Sequence, residues 1–130
     1  MNLLQRRREL MIGKTHIESY IDIYKGRMYP QNGIISDRNE FYIYATETIE
    51  VGTKVRLTLN FLQLDQNVTS LQIKDTYASP PDIVINMPQT VIDVTFKITE
   101  RSTDTLWCRF NLQVQTTQID LTSIKLEKII

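Results

Sequence analysis

Residues 53–61 read TKVRLTLNF, and their alternation decides the fold. Val55, Leu57, Leu59 and Phe61 fall on one side of an extended chain; Lys54, Arg56, Thr58 and Asn60 fall on the other. Successive side chains of a strand point to opposite faces, so a period of two marks a strand with one face in a core and one in water. The same pattern recurs along the chain. Residues 90–99 align Ile92, Val94, Phe96 and Ile98, and residues 104–114 align Leu106, Cys108, Phe110, Leu112 and Val114, leaving Trp107 and Arg109 outward. Residues 16–24 set Ile17, Ile21 and Ile23 against His16, Glu18, Tyr20, Asp22 and Tyr24. Residues 40–48 are apolar on both faces, with Phe41, Ile43 and Ala45 against Tyr42 and Tyr44. Shorter strands fit residues 34–35, 68–74 and 83–87, the last closed by Pro88. In residues 119–130 the apolar parity changes between Ile119/Leu121 and Ile124/Leu126, which predicts a bulge near Thr122 and Ser123.

Composition agrees. The chain of 130 residues holds 17 Ile, 7 Val and 15 Thr but two alanines, Ala45 and Ala78. Branching at Cβ stiffens χ1 and suits a pleated sheet, whereas a helical protein would be rich in Ala. About eight antiparallel strands at sandwich spacing, joined by long connections, predict an all-β jelly-roll β-sandwich. The expected organisation is an N-terminal arm, 1–13, and a sandwich domain, 14–130.

The arm differs from the rest. In MNLLQRRRELMIG, Leu3, Leu4, Leu10 and Met11 fall at helical spacing around Arg6, Arg7 and Arg8, with Gly13 as a stop. So short a helix is marginal unless it docks on a partner. Fifteen basic and fifteen acidic residues give a net charge of zero. Because three arginines stand in the arm, the domain itself carries about −2, and nucleic acid is not the expected partner. No apolar run reaches the ~20 residues of a membrane span, and no secretory signal is read at the N-terminus.

Residues 40–130 resemble the jelly rolls of carbohydrate-binding modules. The likeness lies in a segment at 49–61, IEVGTKVRLTLNF, and in a closing strand at 119–128, IDLTSIKLEK. It implies the fold, and no sugar or calcium ligand transfers to particular residues. Residues 3–11, LLQRRRELM, are similar to the opening of virion proteins from phages of gut bacteria related to Bacteroides. That resemblance implies a capsid decoration, head-fibre or tail attachment part, located in a virion assembled in the host cytoplasm.

Chemistry is sparse. Cys108 falls on an inward face, where free cysteine packs as a small hydrophobe, and His16 has no ligating neighbour in sequence. The four glycines are isolated turn residues rather than a phosphate loop. No catalytic residue, metal site or cofactor is expected, and the chain is read as non-enzymatic. The informative side chains are the outward aromatics Tyr20, Tyr24, Tyr42, Tyr44 and Trp107. Exposed rings serve as sugar platforms or as anchors in protein interfaces, unless a helix, a loop or the arm covers them within the monomer. Arg6, Arg7 and Arg8, with Leu3, Leu4, Leu10 and Met11, are read as a partner-binding arm for other virion subunits or further copies of this chain. The competing expectation is a carbohydrate-binding module that holds a glycan on its tyrosines and Trp107.

Overall fold

The computed structural model describes residues 15–22, 31–75, 83–99 and 101–129. The expected helical arm, 1–13, lies outside these residues. Among the described residues eleven strand segments pack as two antiparallel sheets, an all-β sandwich. In chain order they are β1 (His16–Ile17), β2 (Ser19–Asp22), β3 (Ile34–Ile35), β4 (Arg38–Ile49) and β5 (Lys54–Gln63). There follow β6 (Ser70–Lys74), β7 (Ile83–Asn86), β8 (Val91–Lys97), β9 (Thr103–Val114), β10 (Thr117–Ile119) and β11 (Lys125–Ile129).

The pairing is nested. β6 and β7 form an antiparallel pair, β5 pairs with β8, β4 with β9, and the short β1 and β3 pair with β11 and β10. Among the described residues β8, β5, β10/β11 and β1/β3 lie in one sheet and β2, β4, β9, β6 and β7 in the other.

Alternation holds the two layers together. Val55, Leu57, Leu59 and Phe61 of β5 are all buried, as are Leu106, Cys108, Phe110 and Val114 of β9. Phe110 meets Phe41 of its own sheet at 5.7 Å between ring centres and Phe61 of the facing sheet at 6.0 Å. Burying one such side chain contributes about 2–3 kcal/mol, and the inclined rings avoid the unfavourable face-to-face sandwich.

Eleven segments stand where about eight strands were expected because long runs are broken. The run from His16 is cut at Glu18: β1 pairs with β11 in one sheet, and β2 with β4 in the other. The crossing is fixed by Lys128 N–H donating to the Thr15 carbonyl at 2.8 Å and Thr46 N–H to that of Glu18 at 3.0 Å. Crossing between layers lets Ile17 and Ile21 reach the same core.

The closing segment also differs from expectation. Its parity changes at a full turn, 120–123, rather than at a one-residue bulge. Asp120 Oδ1 accepts from Thr122 N–H at 3.0 Å and Thr122 Oγ1 at 2.7 Å, an Asx turn. Ser123 Oγ then accepts from Asn60 N–H at 2.8 Å, standing in for a missing ladder bond. A register shift does occur nearby, where Gln118 and Ile119 face Gln63 and Phe61 and leave Leu62 as the extra residue.

Among the described residues two glycines have positive φ, with opposite surroundings. Gly33 (φ 71) lies against the backbone of Ile119, where a Cβ would run into the carbonyl oxygen, whereas Gly52 (φ 90) has open space. Gly52→Ala should cost about 1 kcal/mol from backbone strain alone, and Gly33→Ala roughly 3 kcal/mol or more. Urea unfolding of the two variants checks this, the expectation being a clearly lower midpoint for Gly33→Ala.

Candidate functional site

The outward face of the five-stranded sheet is built by the residues that alternate with its core. On β4, Phe41 and Ile43 point inward, so Glu40, Tyr42 and Tyr44 point out. On β9 the outward set is Thr105, Trp107 and Arg109; on β2, Tyr20 and Asp22; on β6, Gln72 and Lys74. Directly opposed residues of antiparallel strands lie side by side on one face, so the registers arrange these groups in rows. One row runs Tyr20, Tyr44, Thr105; the next Asp22, Tyr42, Trp107, Lys74; the third Glu40, Arg109, Gln72, Val84.

The aromatics interlock. Tyr20 and Tyr44 stack with centres 5.3 Å apart and planes 19° apart. Tyr42 meets Trp107 edge to face at 4.9 Å and 81°, and lies 6.3 Å from Tyr44. Tyr42 is only 2% exposed although it faces away from the core, while Tyr20, Tyr44 and Trp107 are half-buried. Its hydroxyl bonds to Glu40, whose carboxylate also accepts from Arg109 Nη2 at 3.2 Å. Burial and the Glu40 charge both push the Tyr42 phenol well above its ordinary value. Tyr44 is also shifted upward, by burial first and then by the charges of Asp22, Tyr20 and Asp104.

Of the residues singled out from sequence, Tyr20, Tyr42, Tyr44 and Trp107 are thus brought onto one face. Tyr24 and the arm residues Leu3, Leu4, Arg6, Arg7, Arg8, Leu10 and Met11 lie outside the described residues. His16 and Tyr20 share one face of a single strand in the sequence reading. The break at Glu18 instead puts His16 beside Glu127 in the other sheet. Gln72 and Lys74 join the site only because β6 pairs with β9, two strands far apart in sequence. Glu40 was not singled out from sequence; its bond with Arg109 follows from the register of β4 on β9.

Elsewhere, a shallow cleft of about 360 Å³ opens between 63–67 and 115–116. Its carboxylate, Asp65, is occupied structurally: Oδ1 accepts from Asn67 N–H at 2.9 Å and Oδ2 from Gln115 N–H at 2.7 Å. These backbone bonds hold its pKa below the usual carboxylate value. Cys108 is buried in the core, and burial pushes its thiol upward. Among the described residues no group of three or more His, Cys, Asp or Glu side chains is placed to hold a metal ion. The chain matches no family model, no curated protein and no solved structure.

The raised tyrosine values fix the sign of an alkaline effect. A phenol held neutral in the fold stabilises fully below its unfolded value, near 10.0, and that contribution is lost as pH rises above it. Stability should therefore fall above about pH 10, and less steeply in Tyr42→Phe. At neutral pH Tyr42→Phe should cost about 1 kcal/mol, the worth of one hydrogen bond. Denaturant titrations on both sides of that pH measure both effects.

Proposed function

We propose that this chain is a non-enzymatic structural protein of a phage particle, a jelly-roll domain attached by residues 1–13 to a capsid, head fibre or tail. The nested pairing supports the jelly-roll reading: its pairs β6–β7, β5–β8, β4–β9 and β1/β3 with β11/β10 roll into two facing sheets. The particle context rests on the resemblance of residues 3–11 to virion proteins.

One observation carries the choice of a protein partner over a sugar. A sugar platform needs flat ring faces open to solvent, but here the rings are spent on each other. Tyr42 is buried, Tyr20 and Tyr44 stack together, and Trp107 meets Tyr42 edge to face. A half-buried, rigid aromatic patch beside an ion pair has the anatomy of a protein contact: anchors at the centre and polar groups at the rim. The arm supplies the second contact, with Leu3, Leu4, Leu10 and Met11 buried on a neighbouring subunit and Arg6, Arg7 and Arg8 paired with its acidic groups.

Deleting residues 1–13 should leave a folded, soluble sandwich that no longer sediments with particles assembled in the host, while the full chain does. Equal co-sedimentation of the two would contradict anchoring by the arm. In parallel, a glycan array tests the carbohydrate-binding alternative: no binding is expected, and saturable binding lost in Trp107→Ala would favour that alternative.

A further inference from the structure

The sandwich has several rims, and they are not alike. β1 and β3 are two residues long and β2 is four. β7 is also four residues long, and its Asn86 carbonyl is capped by the Gln89 side-chain amide at 2.7 Å. β8 is seven residues long, pairs only with β5 among the described residues, and carries no such cap. An edge of that length, left unpaired among the described residues, is a template for a further strand.

Its backbone direction can be assigned. The Thr90 carbonyl accepts from Phe61 N–H at 2.8 Å, and Ile98 N–H donates to the Thr53 carbonyl at 2.9 Å, so 90 and 98 point toward the β5 side. Backbone groups alternate along an antiparallel strand. The N–H and C=O of Val91, Asp93, Thr95 and Lys97 therefore point away from β5, and the side chains of all four are exposed.

We propose that β8 is the contact edge of a two-fold homodimer, pairing antiparallel with β8 of a second copy about Thr95. Charge selects this register. A two-fold at Asp93 or at Lys97 sets like charges face to face. At Val94 or Phe96 each charge faces a neutral residue. At Thr95 alone, Asp93 lies opposite Lys97 of the partner subunit, twice by symmetry. The same register sets Val94 beside Phe96 of the partner subunit and Ile92 beside Ile98 of the partner subunit, so the inner face continues across the joint. Arg56 already holds Asp93 with two bonds of 2.8 and 2.7 Å, which fixes the carboxylate on the outer face for the partner's Lys97. The two sheets containing β5 and β8 become one continuous sheet. This goes beyond the particle reading, which a monomeric sandwich would satisfy equally.

Cysteine cross-linking of the full chain tests it. In the proposed dimer the two Thr95 Cα atoms are ~5.5 Å apart, within disulfide range, whereas the two Lys97 Cα atoms are roughly 14 Å apart. Under mild oxidation Thr95→Cys should give a covalent dimer reversed by reductant, and Lys97→Cys should not; Cys108 is buried and does not compete. In sedimentation, Lys97→Glu should weaken the non-covalent dimer about tenfold. A full chain that stays monomeric at every concentration, equal cross-linking at 95 and 97, or unchanged dimerisation of Lys97→Glu would each overturn the proposal.

Discussion

The contact on which the molecule depends is the closure of its two sheets at Phe110. Phe61 from one sheet and Phe41 from the other pack against this ring, and all three are buried. Since side chains alternate along a strand, committing Phe41, Phe61 and Phe110 to the interior also commits their neighbours to the exterior. A one-residue slip of β4 would exchange Phe41 and Ile43 for Glu40, Tyr42 and Tyr44, so the core and the outward aromatic face are set by the same register. The rigidity of the face follows from that of the core.

The outward face then resolves a tension in the sequence. β4 is apolar on both sides, which suits a strand covered on both faces. The structure meets that demand locally: Trp107, Tyr44 and the Glu40–Arg109 pair surround Tyr42, so a phenol on the solvent side is nearly as buried as the core. Around it Tyr20, Tyr44 and Trp107 stay partly exposed, and Val84 is exposed at the end of the neighbouring row.

Legibility in the sequence followed the range of the interactions. β5, β8 and β9 were readable because their alternation is local and uninterrupted, and their inward residues are buried apart from the partly covered Val94 and Leu112. The division of the first strand at Glu18 was not readable. Ile17 and Ile21 keep an apolar period whether the chain stays in one sheet or crosses to the other, and only distant partners, Glu127 for His16 and Tyr44 for Tyr20, decide. The break at 120–123 left its trace in the parity of Ile119 and Ile124, but its extent depends on Ser123 reaching Asn60 across the sheet. In the site, the tyrosines and Trp107 announced themselves as outward aromatics. Their interlocking, and the arrival of Gln72 and Lys74, required the pairing of β9 with both β4 and β6.

The central claim is that this aromatic face is a protein contact, and the single tryptophan provides the measurement. Acrylamide quenching of Trp107 should be appreciable in the free protein, unchanged by added polysaccharides, and strongly reduced once the protein is incorporated into the proposed phage particle. Quenching that is identical in the free and incorporated protein, or that is suppressed by a polysaccharide, would contradict the account.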